Sequence, residues 1–161
     1  MGKFSSGWER PDTDMSIRHQ EKHDGGGNIR YNAIGYVTSP HMDPSQIPMI
    51  PLALNDTEGS IEVLPQFIMG LKKLEDFKYI QVIYHLHHPQ QPHILVKPPF
   101  QSEEFGIFAT RFNCRPNAIA SSLLEVLRIE GAVIHVRGID MIDGEAVLDI
   151  RPYVADFDVA P

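Results

Sequence analysis

Between Tyr79 and His88 the side chains alternate, with Ile80, Val82, Tyr84 and Leu86 on one face of an extended chain and Gln81, Ile83, His85 and His87 on the other. A period of two is the pattern of a half-buried strand, and the remainder of the chain repeats it in short pieces. Ile29–Ser39 stops at Pro40. Ser60–Leu64 follows Gly59, and Ile94–Lys97, Phe105–Thr110, Ala132–Ile139 and Ala146–Ile150 are further strand candidates, separated by Pro-Pro, Arg-Pro-Asn and Asp-Gly punctuation. At least seven short strands with few helices predict a mainly β fold, a small closed antiparallel β-barrel with one or two short helices, because closure removes the edges that open sheets expose.

Two segments carry helical spacing. Leu71, Leu74 and Phe77 recur within Met69–Phe77, which predicts one short helix or two turns. In Asn117–Ile129 the residues Ile119, Leu123, Val126 and Leu127 fall at helical spacing among good helix formers, so propensity predicts a helix there.

Residues 1–28 differ in character. They hold few aliphatic side chains, much charge and a closing Gly25-Gly26-Gly27, and such a stretch buries too little apolar surface to offset its ordering entropy. The expected organisation is a flexible tail over 1–28, a barrel domain over 29–157 and a short C-terminal end over 158–161. With 42% hydrophobic and 22% charged residues in 161, the composition is that of one globular domain and excludes a mostly disordered or collagen-like chain. The single cysteine, Cys114, cannot form an internal disulfide. No apolar run approaches the ~20 residues of a membrane-spanning helix, and the first 28 residues lack the apolar core of a secretory signal. A cytoplasmic location is therefore expected. The net charge of −7, from 14 Lys and Arg against 21 Asp and Glu, argues against indiscriminate phosphate binding while leaving room for a local basic face.

Three clusters can carry chemistry. Gly106–Ala120 sets Arg111 and Arg115 four apart on irregular backbone, followed by Pro116-Asn117, and each guanidinium can fork onto a carboxylate or phosphate or form a surface ion pair. Gly138–Gly144 places Asp140 and Asp143 on a turn between two apolar strands. Asp143-Gly144 is a hairpin signal in itself, and the carboxylates can also take ribose hydroxyls or a cation. His85 and His87 share a strand face, with His88, His93 and His41 as neighbours in a possible metal site, yet no local metal-binding signature accompanies them.

Read together, IGYVTSP (34–40), GLKKLEDF (70–77), GIFATR (106–111), RPNAI (115–119) and GIDMIDGEAVLDIRPY (138–153) come in one order. In that order they resemble the TsaA-like, TrmO-type family of tRNA adenine N6-methyltransferases, over about residues 29–157. The resemblance implies a small barrel that binds S-adenosylmethionine, pairs as a homodimer, and methylates N6 of threonylcarbamoyladenosine beside the anticodon of tRNA without a metal. It also implies a barrel strand at 117–129, against the helix that propensity favours. Donor-binding positions carried over by the resemblance are Pro48, Met49, Ile50, Leu86, His87, Arg111, Ser121, Asp140, Met141, Ile142 and Asp143. On the catalytic side it implies Asn117 as an orienting amide, Arg115 with the acceptor, and Asp143 or His87 as proton acceptor. Phe100, Phe112 or Tyr153 can stack an unpaired anticodon-loop base. The chain departs from the family wording at Phe112, Asn113, Cys114, Ala118 and Ala120, on the acceptor side, and carries Met49 where Arg is frequent. The alternatives from other classes are a donor-binding sensor or partner protein on the same barrel without transferase activity, and a metal-dependent enzyme built on the histidines.

Overall fold

A computed structural model describes residues 29–47, 55–99 and 101–159 of the chain. Its strands are β1 (Gly35–Thr38), β2 (Glu58–Val63), β3 (Tyr79–His85), β4 (Leu95–Val96), β5 (Phe105–Gly106), β6 (Ile119–Glu130), β7 (Val133–Arg137) and β8 (Ala146–Pro152), followed by one helical turn, α1 (Ala155–Asp158). Six of them close into an antiparallel barrel in the order β1-β2-β7-β6-β3-β8, and β4 and β5 form a separate two-stranded ribbon. The barrel lies within a compact unit spanning Tyr31–Pro161. Among the described residues no helix is long and apolar enough to cross a membrane.

The alternation in Tyr79–His88 becomes the centre of the barrel. β3 lies between β6 and β8, with Ile80 opposite Leu124 and Pro152, and Tyr84 opposite Ala120 and Val147. Its inward row, Ile80, Val82, Tyr84 and Leu86, is buried together with Val37, Ile61, Ile134, Val136 and Val147. Burial of each such side chain is worth about 1.5–3 kcal/mol, so this row carries much of the driving force for closure.

The segment Asn117–Ile129 is not a helix. It becomes β6, the longest of the described strands at 12 residues, pairing with β3 along one edge and β7 along the other. The strand predicted over Phe105–Thr110 is shorter than expected: only Phe105–Gly106 is extended, and Ile107–Ala109 turns as a 3₁₀ helix. Ile107 is wholly buried and its N–H donates to the Ile94 carbonyl at 2.9 Å, which turns the chain inward. The region around Met69–Phe77 resolves into two 3₁₀ helices, Pro65–Leu71 and Leu74–Asp76, that bring Leu71 and Leu74 to the core.

Candidate functional site

After β7 the chain enters the turn Gly138–Gly144, which is fastened from three directions. Gly138 and Ile139 both donate their N–H to the Thr57 carbonyl, at 2.9 and 3.2 Å, and buried Asn55 donates its side-chain amide to the Ile139 carbonyl at 3.2 Å. Ile139 and Met141 are fully buried and anchor the turn in the core. At its tip, Asp143 Oδ1 accepts the Ser39 N–H at 2.9 Å while the Asp143 N–H donates to the His41 carbonyl at 2.8 Å. Gly144, with φ of 80°, occupies the left-handed region that an Asp-Gly turn demands.

Beneath this turn lies a buried polar cluster. Ser122 Oγ on β6 donates to the Tyr84 hydroxyl on β3 at 3.3 Å. Glu145, with 1% exposure, accepts the Ile142 N–H on Oε2 at 3.2 Å. Among the described residues, three buried polar atoms have no hydrogen-bond partner: Asp140 Oδ1, Glu145 Oε1 and His41 Nε2. An unpaired buried polar atom costs about 1–3 kcal/mol, so each of these atoms calls for a partner from water or a ligand. Burial pushes the Glu145 carboxyl up to about 7, with the nearby Asp140 carboxyl adding to the effect. Asp140 is likewise raised by burial, against the opposing pull of the Ser122 hydroxyl. The Tyr84 phenol is pushed up by burial and then by the Asp140 and Glu145 carboxyls.

His87 stands at the rim. Its Nδ1 is 3.9 Å from Glu145 Oε1, and its side chain is 34% exposed. Burial, then His88 and His85, hold its imidazole below the ordinary histidine range, while Asp143 acts in the other direction. Buried Leu86 donates its N–H to the Ala118 carbonyl at 2.9 Å, tying the end of β3 to the Arg-Pro-Asn loop.

In that loop Arg115 makes neither an ion pair among the described residues nor a free fork. Its Nη1 donates to the carbonyls of Thr110 at 2.9 Å and Ile107 at 3.3 Å, and its guanidinium lies 5.8 Å from the Phe108 ring centre. Asn117 is exposed, and its carbonyl accepts the Ile119 N–H at 2.8 Å. Arg111 and Ser121 are exposed, Ser121 on β6 opposite Ile83. Met141 and Ile142 are buried, so the turn offers backbone rather than those side chains to a ligand. Pro48, Met49, Ile50, Phe100 and the tail with Trp8, His19 and His23 lie outside the described residues. Among the described residues no three of His, Cys, Asp and Glu converge to hold a metal ion.

Sequence reasoning missed Glu145. Its signal is parity: Val147 faces the core, and a residue two before it on the same strand direction faces inward too. Tyr84 was read only as one of an alternating strand face and Ser122 was not singled out within 117–129, and their pairing follows only from the β3–β6 register, in which Val82 opposes Ser122. A cavity of about 330 Å³ lined by Ile34, Val63, Phe67, Leu71 and Leu74 lies toward the opposite end of β1 from Ser39 and the Asp143 turn.

The chain is similar to several known proteins. The model of the tRNA-methyltransferase O N-terminal domain matches residues 36–159. A Pyrococcus abyssi protein named a probable S-adenosyl-L-methionine-binding protein is 41% identical over 131 residues, covering 81% of this chain and 71% of its own. A mouse tRNA (adenine(37)-N6)-methyltransferase is 31% identical over 82% of this chain and 32% of its own. A crystal structure of TrmO superposes with a TM-score of 0.70 at 33% identity, covering 82% of this chain and 60% of that one. The chain thus spans about 60% of the length of that solved structure. With the domain model matching residues 36–159, from within β1 to past α1, the chain belongs to the tRNA-methyltransferase O N-terminal domain family.

Proposed function

We propose that this protein is an S-adenosylmethionine-dependent methyltransferase acting on N6 of threonylcarbamoyladenosine beside the tRNA anticodon, in the cytoplasm and as a homodimer. The observation that carries the reading is the set of unpaired buried atoms at the Asp143 turn. The donor suits this place: it has ribose hydroxyls and an ammonium that take carboxylate partners, and Asp140 Oδ1 is a carboxylate oxygen in need of a donor. Bound there, S-adenosylmethionine supplies an electrophilic methyl carbon on a sulfonium that departs as a neutral thioether.

The protein's own part is position and proton transfer. Asp143 holds the turn through Ser39 and His41, which commits one carboxylate oxygen to structure. That leaves His87 as the proton acceptor for the acceptor nitrogen: its imidazole is held below the ordinary range and is therefore neutral at pH 7. The exposed Asn117 amide orients the acceptor, and Arg115 contributes by holding the loop Ile107–Thr110 in place. Leu86 and His87, Arg111, Ser121 and the 140–143 turn are the donor-binding residues we assign among those described, and Pro48, Met49 and Ile50 are assigned by the family resemblance alone.

The anticodon loop meets a mouth whose available cations are few. Arg128, Arg137 and Arg151 are each engaged with acidic neighbours, Glu130, Glu58 with Glu125, and Asp149 respectively. Lys97 and Arg111 are exposed and make no such pair among the described residues, and they are the side chains to which we assign phosphate contact. The half-buried rings of Phe112 and Tyr153 are the ones we assign to base stacking.

Incubating the purified protein with labelled donor and tRNA that carries threonylcarbamoyladenosine tests the reading. Label in the modified adenosine supports it. Calorimetric donor binding without transfer to any tRNA would instead make the protein a donor-binding module, and absence of donor binding would remove the site.

A further inference from the structure

Glu145 is the least accessible charged residue among those described, and its two oxygens face different tasks. Oε2 accepts the Ile142 N–H at 3.2 Å and so braces the donor turn from below. Oε1 has no hydrogen-bond partner among the described residues, and the nitrogen across from it, at 3.9 Å, is His87 Nδ1. That separation is within ion-pair range and about 1 Å longer than a hydrogen bond, a gap the one-third exposed His87 ring has to close for the two atoms to bond.

The chemistry of an imidazole makes this contact decisive. A neutral histidine carries one ring proton, and the hydrogen bond made by one nitrogen determines which nitrogen is left bare. A carboxylate facing Nδ1 accepts a hydrogen bond from it, which keeps the ring proton on Nδ1 and leaves Nε2 with its lone pair. We propose that Glu145 is a positioning residue that fixes His87 in its Nδ1–H tautomer, so that Nε2 is the atom receiving the proton during methyl transfer. This rests on the methyltransferase reading given above. During transfer the acceptor N6 gives its proton to His87 Nε2, the Nδ1 proton remains shared with Glu145, and the imidazolium formed is stabilised by that carboxylate.

The groups around the pair agree with the assignment. From the turn, Asp140 and Asp143 face it. From the end of β3 come Tyr84, His85 and His88, whose ring lies 4.3 Å from that of His87, while His41, from the segment after β1, acts on Asp140. Burial raises Glu145 to about 7, so its carboxylate form, the one that holds Nδ1–H, predominates in mildly alkaline solution.

The substitution Glu145→Gln separates this role from a purely structural one. Its amide oxygen replaces Oε2 as acceptor for the Ile142 N–H, so the turn keeps its brace, and the remaining NH₂ then donates to His87 Nδ1 and forces the opposite tautomer. Nitrogen-15 spectra of the imidazoles at pH 8, assigned with His87→Gln, read the tautomer without any substrate. Nδ1–H in the native protein and Nε2–H in Glu145→Gln are expected, with kcat lowered about ten- to hundredfold and donor affinity unchanged. An Nε2–H tautomer in the native protein overturns the proposal even if methyl transfer is intact. The native spectrum decides that point by itself, so a variant that folds poorly does not protect the proposal. The expected tautomers in a protein that transfers no methyl group would overturn the methyltransferase reading, and with it the catalytic part of this role.

Discussion

Asp143 Oδ1 accepts the Ser39 N–H at 2.9 Å across 104 residues of sequence, and the Asp143 N–H returns a 2.8 Å bond to the His41 carbonyl. The turn tip is thereby locked to the segment leaving β1. A hydrogen bond to a charged group contributes about 1.5–3 kcal/mol. Asp143→Ala should lower stability by about 1–2 kcal/mol, whereas Asp143→Asn, whose Oδ1 still accepts from Ser39, should unfold close to the native denaturant midpoint. Both should weaken S-adenosylmethionine binding in calorimetry, the Ala variant more. An Asn variant as unstable as Ala would show that the charge rather than the hydrogen bond fastens the turn.

Gly35 and Gly70 make opposite predictions. A Cβ on Gly35 meets the Glu62 carbonyl oxygen at 2.5 Å, a backbone atom that cannot step aside without breaking the β1–β2 ladder. Gly35→Ala should therefore cost about 1–3 kcal/mol in urea unfolding. A Cβ on Gly70 meets nothing within 4 Å, and its φ is not in the left-handed region. Gly70→Ala should raise stability by about 0.4–1 kcal/mol through the unfolded state. Equal effects at the two positions would contradict the packing described for β1.

The contrast between β3 and β6 shows what the sequence made legible. In β3 the inward row is uniformly apolar to Tyr84, so alternation was readable directly. In β6 the inward residues are Ser122 and Leu124 and the outward ones Ser121 and Leu123, so polarity does not separate the two faces and the residues fall on helical spacing instead. A register shift between Val126 and Arg128 breaks the alternation further. Ser122 points inward because it meets the Tyr84 hydroxyl in the polar cluster, and this tertiary demand overrides propensity. The ordered motifs carried the strand assignment that local periodicity missed. The Asp140–Asp143 turn was readable from its motif, while Glu145 was not singled out, because a charged residue beside an Asp-Gly turn reads as solvent-exposed until barrel closure encloses it.

Stability should fall with rising pH through the window set by Glu145. Its folded carboxyl titrates near 7 against 4.5 for the ordinary group, so the unfolded chain releases this proton first as pH rises. The contribution is fully present below about pH 4.5 and is lost by about pH 7 to 8, to the extent of about 3 kcal/mol, and the raised Asp140 acts in the same direction. Glu145→Gln should flatten this dependence and be the more stable protein at pH 8. Guanidinium unfolding at pH 5 and pH 8 on both proteins measures it, and an identical pH slope in the two would contradict the buried position of Glu145.

Arg115→Ala removes donors from two carbonyls, those of Thr110 and Ile107, in the loop that leads to Asn117. The expected outcome is a stability loss of about 1–2 kcal/mol, faster amide exchange across residues 107–117, and reduced methyl transfer with donor affinity within about threefold of native. Arg115→Lys, with a point charge in place of a planar fork, should recover only part of the loss. Unchanged exchange in the loop would show that these hydrogen bonds do not hold it.

The central claim is that the buried polar turn of this barrel serves methyl transfer to adenine N6 in tRNA. Its most direct test is mass analysis of nucleosides from tRNA carrying threonylcarbamoyladenosine after incubation with the protein and S-adenosylmethionine. The account predicts one added methyl group located on N6 of that nucleoside, lost with Asp143→Ala and strongly reduced with His87→Gln. A methyl group on any other atom, or an unmodified nucleoside in the presence of demonstrated donor binding, would contradict it.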